Sequence, residues 1–189
     1  MLNVAVFLAE GFEEIEALTV VDILRRADIT THMVTVAAEE NAALTVTGSH
    51  GITVTADMKI TELDFAALDM IVLPGGMPGT KNLEASSILQ MQIRAFHEEK
   101  RMLAAICAAP GIFGRMGLLE GKRAVSHPSA EDDLTGAEIP QEEVVKDGHI
   151  ITSRGMGTAI PFALKLTEEL AGKDKAEAIG TAICYRSFD

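Results

Sequence analysis

Residues 102–111 read Met-Leu-Ala-Ala-Ile-Cys-Ala-Ala-Pro-Gly, and this stretch indicates the fold class more clearly than any other. Its first five residues are apolar without alternation, which is typical of a strand covered on both faces of a parallel sheet. Pro110 then favours the start of a helix. A cysteine at such a strand-to-helix turn, here Cys107, is lifted clear of the sheet, where its sulfur can react.

The same alternation of apolar runs and helical patterns continues along the chain. Strands are predicted at residues 3–8, 31–37, 70–74 and 102–106, and helices at 13–27, 85–100, 158–171 and 175–181, with another after Pro110. Two hairpins are predicted, one from 44–46 and 51–56 and one from 144–146 and 150–153. The pattern predicts a doubly wound α/β sandwich with a mostly parallel sheet and an added β-hairpin. We expect residues 1–189 to form a single domain.

Composition narrows the class of protein. The 189 residues include 16 basic and 28 acidic side chains, a formal net charge of −12. Such a surface repels phosphate backbones and anionic lipid, so we expect neither nucleic acid nor a membrane as partner. The first apolar run lacks a basic leader, and the two cysteines make no disulfide framework or metal pattern. We therefore expect a cytoplasmic protein without a metal site, in which a thiol is free to react.

Cys107 is the first candidate for chemistry. Backbone N–H groups at the start of the following helix would favour thiolate over thiol, so we expect a cysteine pKa well below the free value of about 8.5. A buried apolar cysteine that ends a core strand is the alternative. Cys184 ends another apolar run without a donor-rich turn, and we predict that it is a packing thiol.

Two further segments follow strands or open helices at the same predicted edge of the sheet, where sites in open α/β sheets form. Gly75 and Gly76 can turn the backbone sharply and aim N–H groups at an oxyanion, although many such pairs are only tight turns. Glu16 lies beside the inward stripe of its helix, where burial would raise the carboxyl pKa and keep a proton on it. The alternative for Glu16 is an ordinary first-turn glutamate, which is our interpretation of Glu13 and Glu14.

His127 is a further candidate. Pro128 biases it towards an extended backbone, and a histidine near a thiol can relay protons. A solvated or structural histidine is the alternative. His97 and His149 lie in contexts that look solvated, and we assign them no role.

Four segments together carry a resemblance to a known family: residues 9–16 (Ala-Glu-Gly-Phe-Glu-Glu-Ile-Glu), 73–76 (Leu-Pro-Gly-Gly), 105–110 (Ala-Ile-Cys-Ala-Ala-Pro) and 152–155 (Thr-Ser-Arg-Gly). The chain resembles the ThiJ/PfpI superfamily over nearly its whole length, in the branch of DJ-one and the bacterial ThiJ-like proteins. The resemblance implies a flavodoxin-like three-layer α/β/α sandwich, usually a homodimer, that works without a cofactor or metal.

The resemblance also implies roles for particular residues. Cys107 is the reactive cysteine, Glu16 its protonated partner, and His127 the histidine near the sulfur, while Gly75 and Ala108 supply backbone N–H groups. The family pocket lies close to the dimer interface, which makes further residues candidates for facing it from the partner subunit: Arg26, His50, Arg154 and Gly157. This branch more often has arginine at the position of His50.

The implied activity is a cysteine-dependent conversion of methylglyoxal, glyoxal or their early adducts on proteins or nucleotides to hydroxyacids. The alternative is a redox-sensing or chaperone-like protein that acts through oxidation of Cys107. A cysteine peptidase is disfavoured, because Ala108 stands where the peptidase branch has histidine. Glutamine amidotransferase chemistry also loses support. Ile106 and Ala108 replace the glycines that flank that cysteine, and the late His-x-Glu pair is missing because His149 is followed by Ile150 and Ile151.

Overall fold

The computed structural model describes residues 2–39 and 41–185. Its strands are β1 (Asn3–Leu8), β2 (Thr30–Thr35), β3 (Thr45–Thr47), β4 (Thr53–Thr55), β5 (Met58–Lys59), β6 (Met70–Leu73), β7 (Met102–Ile106), β8 (Val144–Asp147) and β9 (Ile150–Ser153). Its α-helices are α1 (Glu14–Arg26), α2 (Gly79–Ala85), α3 (Ser87–Glu98), α4 (Pro110–Arg115), α5 (Ala159–Ala171) and α6 (Lys173–Ala182).

Seven of the described strands form one sheet in the order β5-β2-β1-β6-β7-β9-β8. All neighbours are parallel except β8 and β9, which form the antiparallel hairpin predicted for this region. The other predicted hairpin, β3 with β4, stands apart as a two-stranded antiparallel ribbon. The carboxyl ends of β1, β6, β7 and β9 therefore lie at one edge of the sheet, where their loops converge.

The sheet is covered on both faces, which explains why its strands are apolar without alternation. Successive residues of β1 point to opposite sides: Val4 and Val6 pack with α1, α5 and α6, whereas Ala5 and Phe7 pack with α2, α3 and α4. Both sets are fully buried. The expected three-layer α/β/α sandwich with a mostly parallel sheet is confirmed.

The structure corrects the predicted boundaries in three places. The helix predicted at 85–100 is α3, which begins only at Ser87, because Ser86 ends the separate helix α2 and its Oγ caps α3 by accepting the N–H of Leu89 at 3.4 Å. Residues 79–80, expected in a loop, already belong to α2. Strand β2 ends at Thr35, opposite the short strand β5, which the sequence did not reveal.

The helices are short. The longest among the described residues, α1 and α5, have 13 residues each. At 1.5 Å per residue such a helix covers about 20 Å, less than the ~30 Å of a bilayer core. Within residues 2–39 and 41–185, no helix has the length and apolar character needed to cross a membrane.

Candidate active site

Cys107 lies at the turn between β7 and α4, as the strand-to-helix pattern predicts. Its φ is +65°, a left-handed conformation that costs a non-glycine residue roughly 1–2 kcal/mol. Two backbone hydrogen bonds hold it: its N–H donates to Ser153 O at 3.0 Å, and its C=O accepts from His127 N at 2.8 Å. The side chain is partly exposed. The turn therefore presents the sulfur at the carboxyl edge of the sheet.

The sulfur faces two backbone donors, the N–H groups of Ala108 and Gly76. Gly76 has a φ of +91°, which a residue with a side chain rarely adopts, and this turn aims its N–H at the sulfur. Gly75 was expected to supply a donor for an oxyanion, but its N–H donates instead to Oε2 of Glu16 at 2.8 Å. The anion-stabilising donors beside Cys107 are thus Gly76 and Ala108, while Gly75 positions the carboxyl.

Glu16 lies in the first turn of α1 and is 1% exposed. Its carboxyl accepts from the backbone N–H groups of Gly75 and Met156 and contacts the Cys107 thiol. Burial raises the pKa of Glu16 to about 7 against the effect of these hydrogen bonds, and the nearby Glu13 carboxylate raises it further. An inward glutamate that can hold a proton near neutral pH is what the helical stripe predicted.

The pKa of Cys107 moves in the direction opposite to the sequence-based expectation. Burial, together with the charge of an ionised Glu16, raises it to about 12, although the N–H groups of Ala108 and Gly76 oppose this. A proton on Glu16 removes the repulsion and turns the carboxyl into a donor to sulfur. We therefore expect the thiolate to be favoured when Glu16 is protonated.

The space around this pair admits no side chain at Gly75. A Cβ there would lie 2.6 Å from Cβ of Cys107, 3.0 Å from its Sγ and 2.7 Å from Oε2 of Glu16. All three distances fall below ordinary van der Waals separation. Glycine at this position lets the loop after β6 press the thiol and the carboxyl together.

His127 lies at the same edge of the sheet and lines the same cleft as Cys107. Its exposed ring has Nδ1 2.8 Å from Ser129 Oγ and 3.2 Å from Ser129 N. A Cβ built on Gly155 would lie 3.7 Å from Cδ2 of His127, 3.9 Å from Sγ of Cys107 and 3.9 Å from Oε1 of Glu16. The three side chains that the sequence singled out thus surround one glycine.

These residues line an open cleft of about 590 Å³. Its wall includes Glu16, Cys107, His127, His50, Arg154 and Gly157. Two larger grooves, of about 780 and 770 Å³, lack both Cys107 and His127 in their walls. We assign the site to the smaller cleft, because reactive and titratable groups converge there.

The residues expected to face the pocket across a subunit interface divide into two groups. His50, Arg154 and Gly157 line the cleft of their own chain. Arg26 lies at the far end of α1, where its Nε is 2.7 Å from Asp22 Oδ2, and it is not part of the cleft wall. A role for Arg26 towards a partner subunit stays a prediction.

Glu13 and Glu14 lie at the start of α1 as the sequence predicts, but the prediction that they are ordinary helix-start residues is wrong. Glu13 is the N-cap of α1, and its carboxylate accepts from Glu16 N at 2.7 Å. Glu14 is 3% exposed and joins α1 to the β3–β4 hairpin by accepting from His50 N at 2.8 Å and contacting its Nδ1 at 3.0 Å. Burial acts against ionisation, but these bonds and those from its own and the Ile52 N–H outweigh it and lower the pKa of Glu14 to about 2. An acidic doublet at the start of a helix, Glu13 as N-cap and Glu14 as its first residue, was the available signal.

The Glu14 carboxylate also raises the pKa of His50 by hydrogen bonding and by its charge. Among the described residues, Glu13, Glu14 and His50 form the one group of three side chains that could hold a metal ion, with ligand atoms within 4.8 Å of one another. The atoms of Glu14 and His50 already bond each other. We interpret these side chains as a structural contact that holds the β3–β4 hairpin against α1.

Three other predictions about single residues need correction. Cys184, expected to pack in the core, is exposed in the turn after α6. His97 and His149, expected to be solvated, are partly buried, with Nδ1 of His97 3.1 Å from Nε2 of His149. Nothing in their sequence context shows that the end of α3 meets the β8–β9 turn.

The fold and the site together define a class: a flavodoxin-like α/β protein with a thiol on a strand-to-helix elbow beside a buried carboxyl. Residues 2–169 match the model of the DJ-1/PfpI family. The chain belongs to that family, as the resemblance indicated.

Individual relatives agree with this assignment. The chain is 39% identical to protein dj-1beta of Drosophila melanogaster, over 95% of this chain and 96% of the relative. It is 32% identical to a Schizosaccharomyces pombe protein named glutathione-independent glyoxalase DJ-1, over 95% of this chain and 96% of the relative. The solved structure of oxidized Toxoplasma gondii DJ-1 superimposes with a TM-score of 0.92 at 34% identity, covering 98% of this chain and 100% of that one.

Proposed function

We propose that this protein is a cysteine-dependent enzyme that converts methylglyoxal or glyoxal, or their early adducts, to the hydroxyacids lactate or glycolate without a cofactor. The observation that carries the proposal is the hydrogen-bonded pair of Cys107 and Glu16, flanked by the N–H groups of Ala108 and Gly76. A thiolate is the nucleophile that adds to an aldehyde, and a carboxyl with a pKa near 7 suits proton transfer at neutral pH. The name of the Schizosaccharomyces pombe relative supports the same chemistry.

The reaction begins with addition. The Cys107 thiolate attacks the aldehyde carbon of methylglyoxal, a carbon–sulfur bond forms, and the carbonyl oxygen takes up a proton to give a hemithioacetal. The N–H groups of Ala108 and Gly76 stabilise negative charge at this position. Glu16, which holds the proton while the thiolate is present, is the near source of the proton that the oxygen receives.

The rearrangement then moves hydrogen within the adduct. A base removes the proton from the former aldehyde carbon, and the enediol that results is protonated at the neighbouring carbon, so the aldehyde carbon is oxidised while the ketone is reduced. The hydroxyl proton passes to the adjacent oxygen, which leaves a thioester. Water hydrolyses the thioester, and lactate and the free thiol are released. Glu16, which contacts the Cys107 thiol, can move protons in these steps, and His127 lines the same cleft.

The test is methylglyoxal consumption together with lactate formation. We expect Cys107→Ser to abolish both, because a serine hydroxyl beside Glu16 is a much weaker nucleophile. Cys184→Ser is the matched control, since it removes the other, exposed thiol and should behave like wild type. Equal activity of the wild type and the Cys107→Ser protein would refute the proposal.

A second candidate function is redox sensing, and a specific observation favours it. Cys107 is partly exposed, and its sulfur faces the N–H groups of Ala108 and Gly76, which would hold the oxygens of a sulfinate. Peroxide would oxidise the thiolate to a sulfenate with release of water, and a second peroxide would give the sulfinate. Mass spectrometry after peroxide treatment should show two added oxygens on Cys107, and client-protection assays of that form would separate a stress-sensing role from an enzymatic one.

A further inference from the structure

Hydrogen bonds fix the backbone of His127 relative to the strand-to-helix turn at Cys107. Its N–H donates to Cys107 O at 2.8 Å, and its C=O accepts from Ser126 Oγ at 3.1 Å. His127 is also the N-cap of the short 3₁₀ helix Pro128–Asp133, whose first free N–H groups need acceptors. The ring therefore meets the cleft from a set position and is not a freely moving surface group.

The contacts of Nδ1 determine which ring nitrogen carries the proton. Ser129 N donates to Nδ1 at 3.2 Å, and a backbone N–H cannot accept a hydrogen bond. In the neutral ring Nδ1 must therefore present its lone pair, and Ser129 Oγ, 2.8 Å away, can donate to it as well. The single proton of neutral His127 then lies on Nε2.

The Nε2 side of the ring faces the reacting groups. Cδ2, the carbon bonded to Nε2, is the ring atom of His127 nearest to a Cβ built on Gly155, at 3.7 Å, and Sγ of Cys107 is 3.9 Å from the same point. Nδ1 lies on the other side, against Ser129. His127 thus presents its Nε2–H donor to the cleft. The lone pair on Nδ1, which could otherwise abstract a proton, already accepts hydrogen bonds from Ser129.

We propose that Ser129 is a positioning residue that holds neutral His127 in its Nε2–H tautomer, so that the ring donates a hydrogen bond to the substrate's carbonyl oxygen and Glu16 moves the proton between the two carbons. This rests on the proposed dicarbonyl chemistry. The ring keeps its proton throughout: Glu16 takes the proton from one carbon and returns it to the next, and the hydroxyl proton passes between the adjacent oxygens. A neutral imidazole at the start of a helix can polarise a carbonyl in enediol chemistry in this way.

The tautomer can be measured without any assay of turnover. The five histidines are labelled with ¹⁵N in the ring, and the His127 signals are assigned by their loss in His127→Gln. We expect Nε2 to carry the proton and Nδ1 to be unprotonated in the neutral ring. A neutral ring with its proton on Nδ1 would overturn the proposal. This measurement stays decisive even if methylglyoxal is not the substrate.

Measurement of kcat in two variants then distinguishes whether His127 acts as a hydrogen-bond donor or as a base. His127→Gln brings an amide N–H close to the position of Nε2, whereas His127→Leu retains bulk without a donor. We expect Leu to lower kcat by about 10²–10³-fold, the usual loss of an oxyanion donor, and Gln to keep most of the activity. Equal loss in both variants would show that His127 acts as a base.

Ser129 itself is tested by a pair of substitutions. Ser129→Ala removes the hydroxyl and should lower kcat several-fold with KM unchanged, while Ser129→Thr keeps a hydroxyl and should restore kcat. Wild-type kcat in the Ala variant would contradict the positioning role of this side chain.

Discussion

Replacing Gly75 by alanine tests whether the site depends on the close approach of the β6 loop to the elbow. The added Cβ would lie 2.6 Å from Cβ of Cys107 and 2.7 Å from Oε2 of Glu16. Neither neighbour can yield easily, because Cys107 is held by backbone hydrogen bonds at a positive φ and Glu16 is 1% exposed. We expect the carboxyl to move away from the sulfur.

The expected magnitudes follow from these contacts. Insertion of one methyl group into a filled site costs typically 1–3 kcal/mol, so the free energy of unfolding should fall by about that amount. Turnover should fall much further, by about 100-fold, because a misplacement on the order of 1 Å between reacting groups has that effect. The 2.8 Å hydrogen bond from Gly75 N to Glu16 Oε2 should be lost at the same time.

Urea unfolding and methylglyoxal turnover measure the two effects, and two other glycines serve as controls. A Cβ on Gly157, in the same cleft wall, meets nothing within 4 Å, and a Cβ on Gly180, in α6, meets only Leu164 at an ordinary 3.6 Å. Both alanine variants should fold, and Gly180→Ala should retain full turnover. If Gly75→Ala has wild-type turnover and stability, the close contact is not needed and the reasoning fails.

Four further predictions concern the pair, two other clusters and assembly. Glu16→Gln keeps a hydrogen-bond donor near the sulfur without a charge, whereas Glu16→Asp keeps the charge at shorter reach. Titration of thiolate absorbance should therefore give a Cys107 pKa about one to two units higher in the Asp variant than in the Gln variant. Equal pKa values would contradict the sharing of a proton between Glu16 and Cys107. Burial lowers the pKa of both His97 and His149, so the unfolded chain binds protons more readily than the folded one. The contribution of these histidines to the free energy of unfolding should therefore be fully present above about pH 6.5 and decline as the pH falls below it. Denaturant titrations should show a flatter decline for His149→Asn. Glu14→Ala removes a buried acceptor and should lower the free energy of unfolding by about 2 kcal/mol. It should also loosen the β3–β4 hairpin, which hydrogen exchange would detect as faster exchange of the His50 amide. Unchanged exchange would show that the contact of Glu14 with His50 is not needed to hold the hairpin. Light scattering should show a homodimer, as the family resemblance implies, and a monomer at micromolar concentration would contradict it.

The sequence by itself determined the architecture and the position of the candidate nucleophile. Apolar runs without alternation occur where strands are covered on both faces, and their alternation with helical patterns leaves few arrangements besides a doubly wound sheet. The position of Cys107 directly after such a strand placed it at the carboxyl edge. The inward apolar stripe of α1 placed Glu16 at the same edge. Both residues could be placed because the strand run and the helical stripe are local, periodic patterns.

Tertiary structure alone decided how these groups behave. The pKa of Cys107 is raised first by burial and then by the charge of Glu16, 91 positions earlier in the sequence, and local helix geometry could reveal neither effect. The N–H of Gly75 serves Glu16, and Glu14 reaches across to His50, because loops that are distant in the chain meet at one edge of the sheet. Hydrogen-bond partners and burial are properties of three-dimensional neighbours. A one-dimensional pattern of residue types predicts which groups can approach one another, and only the packed chain determines where their protons lie.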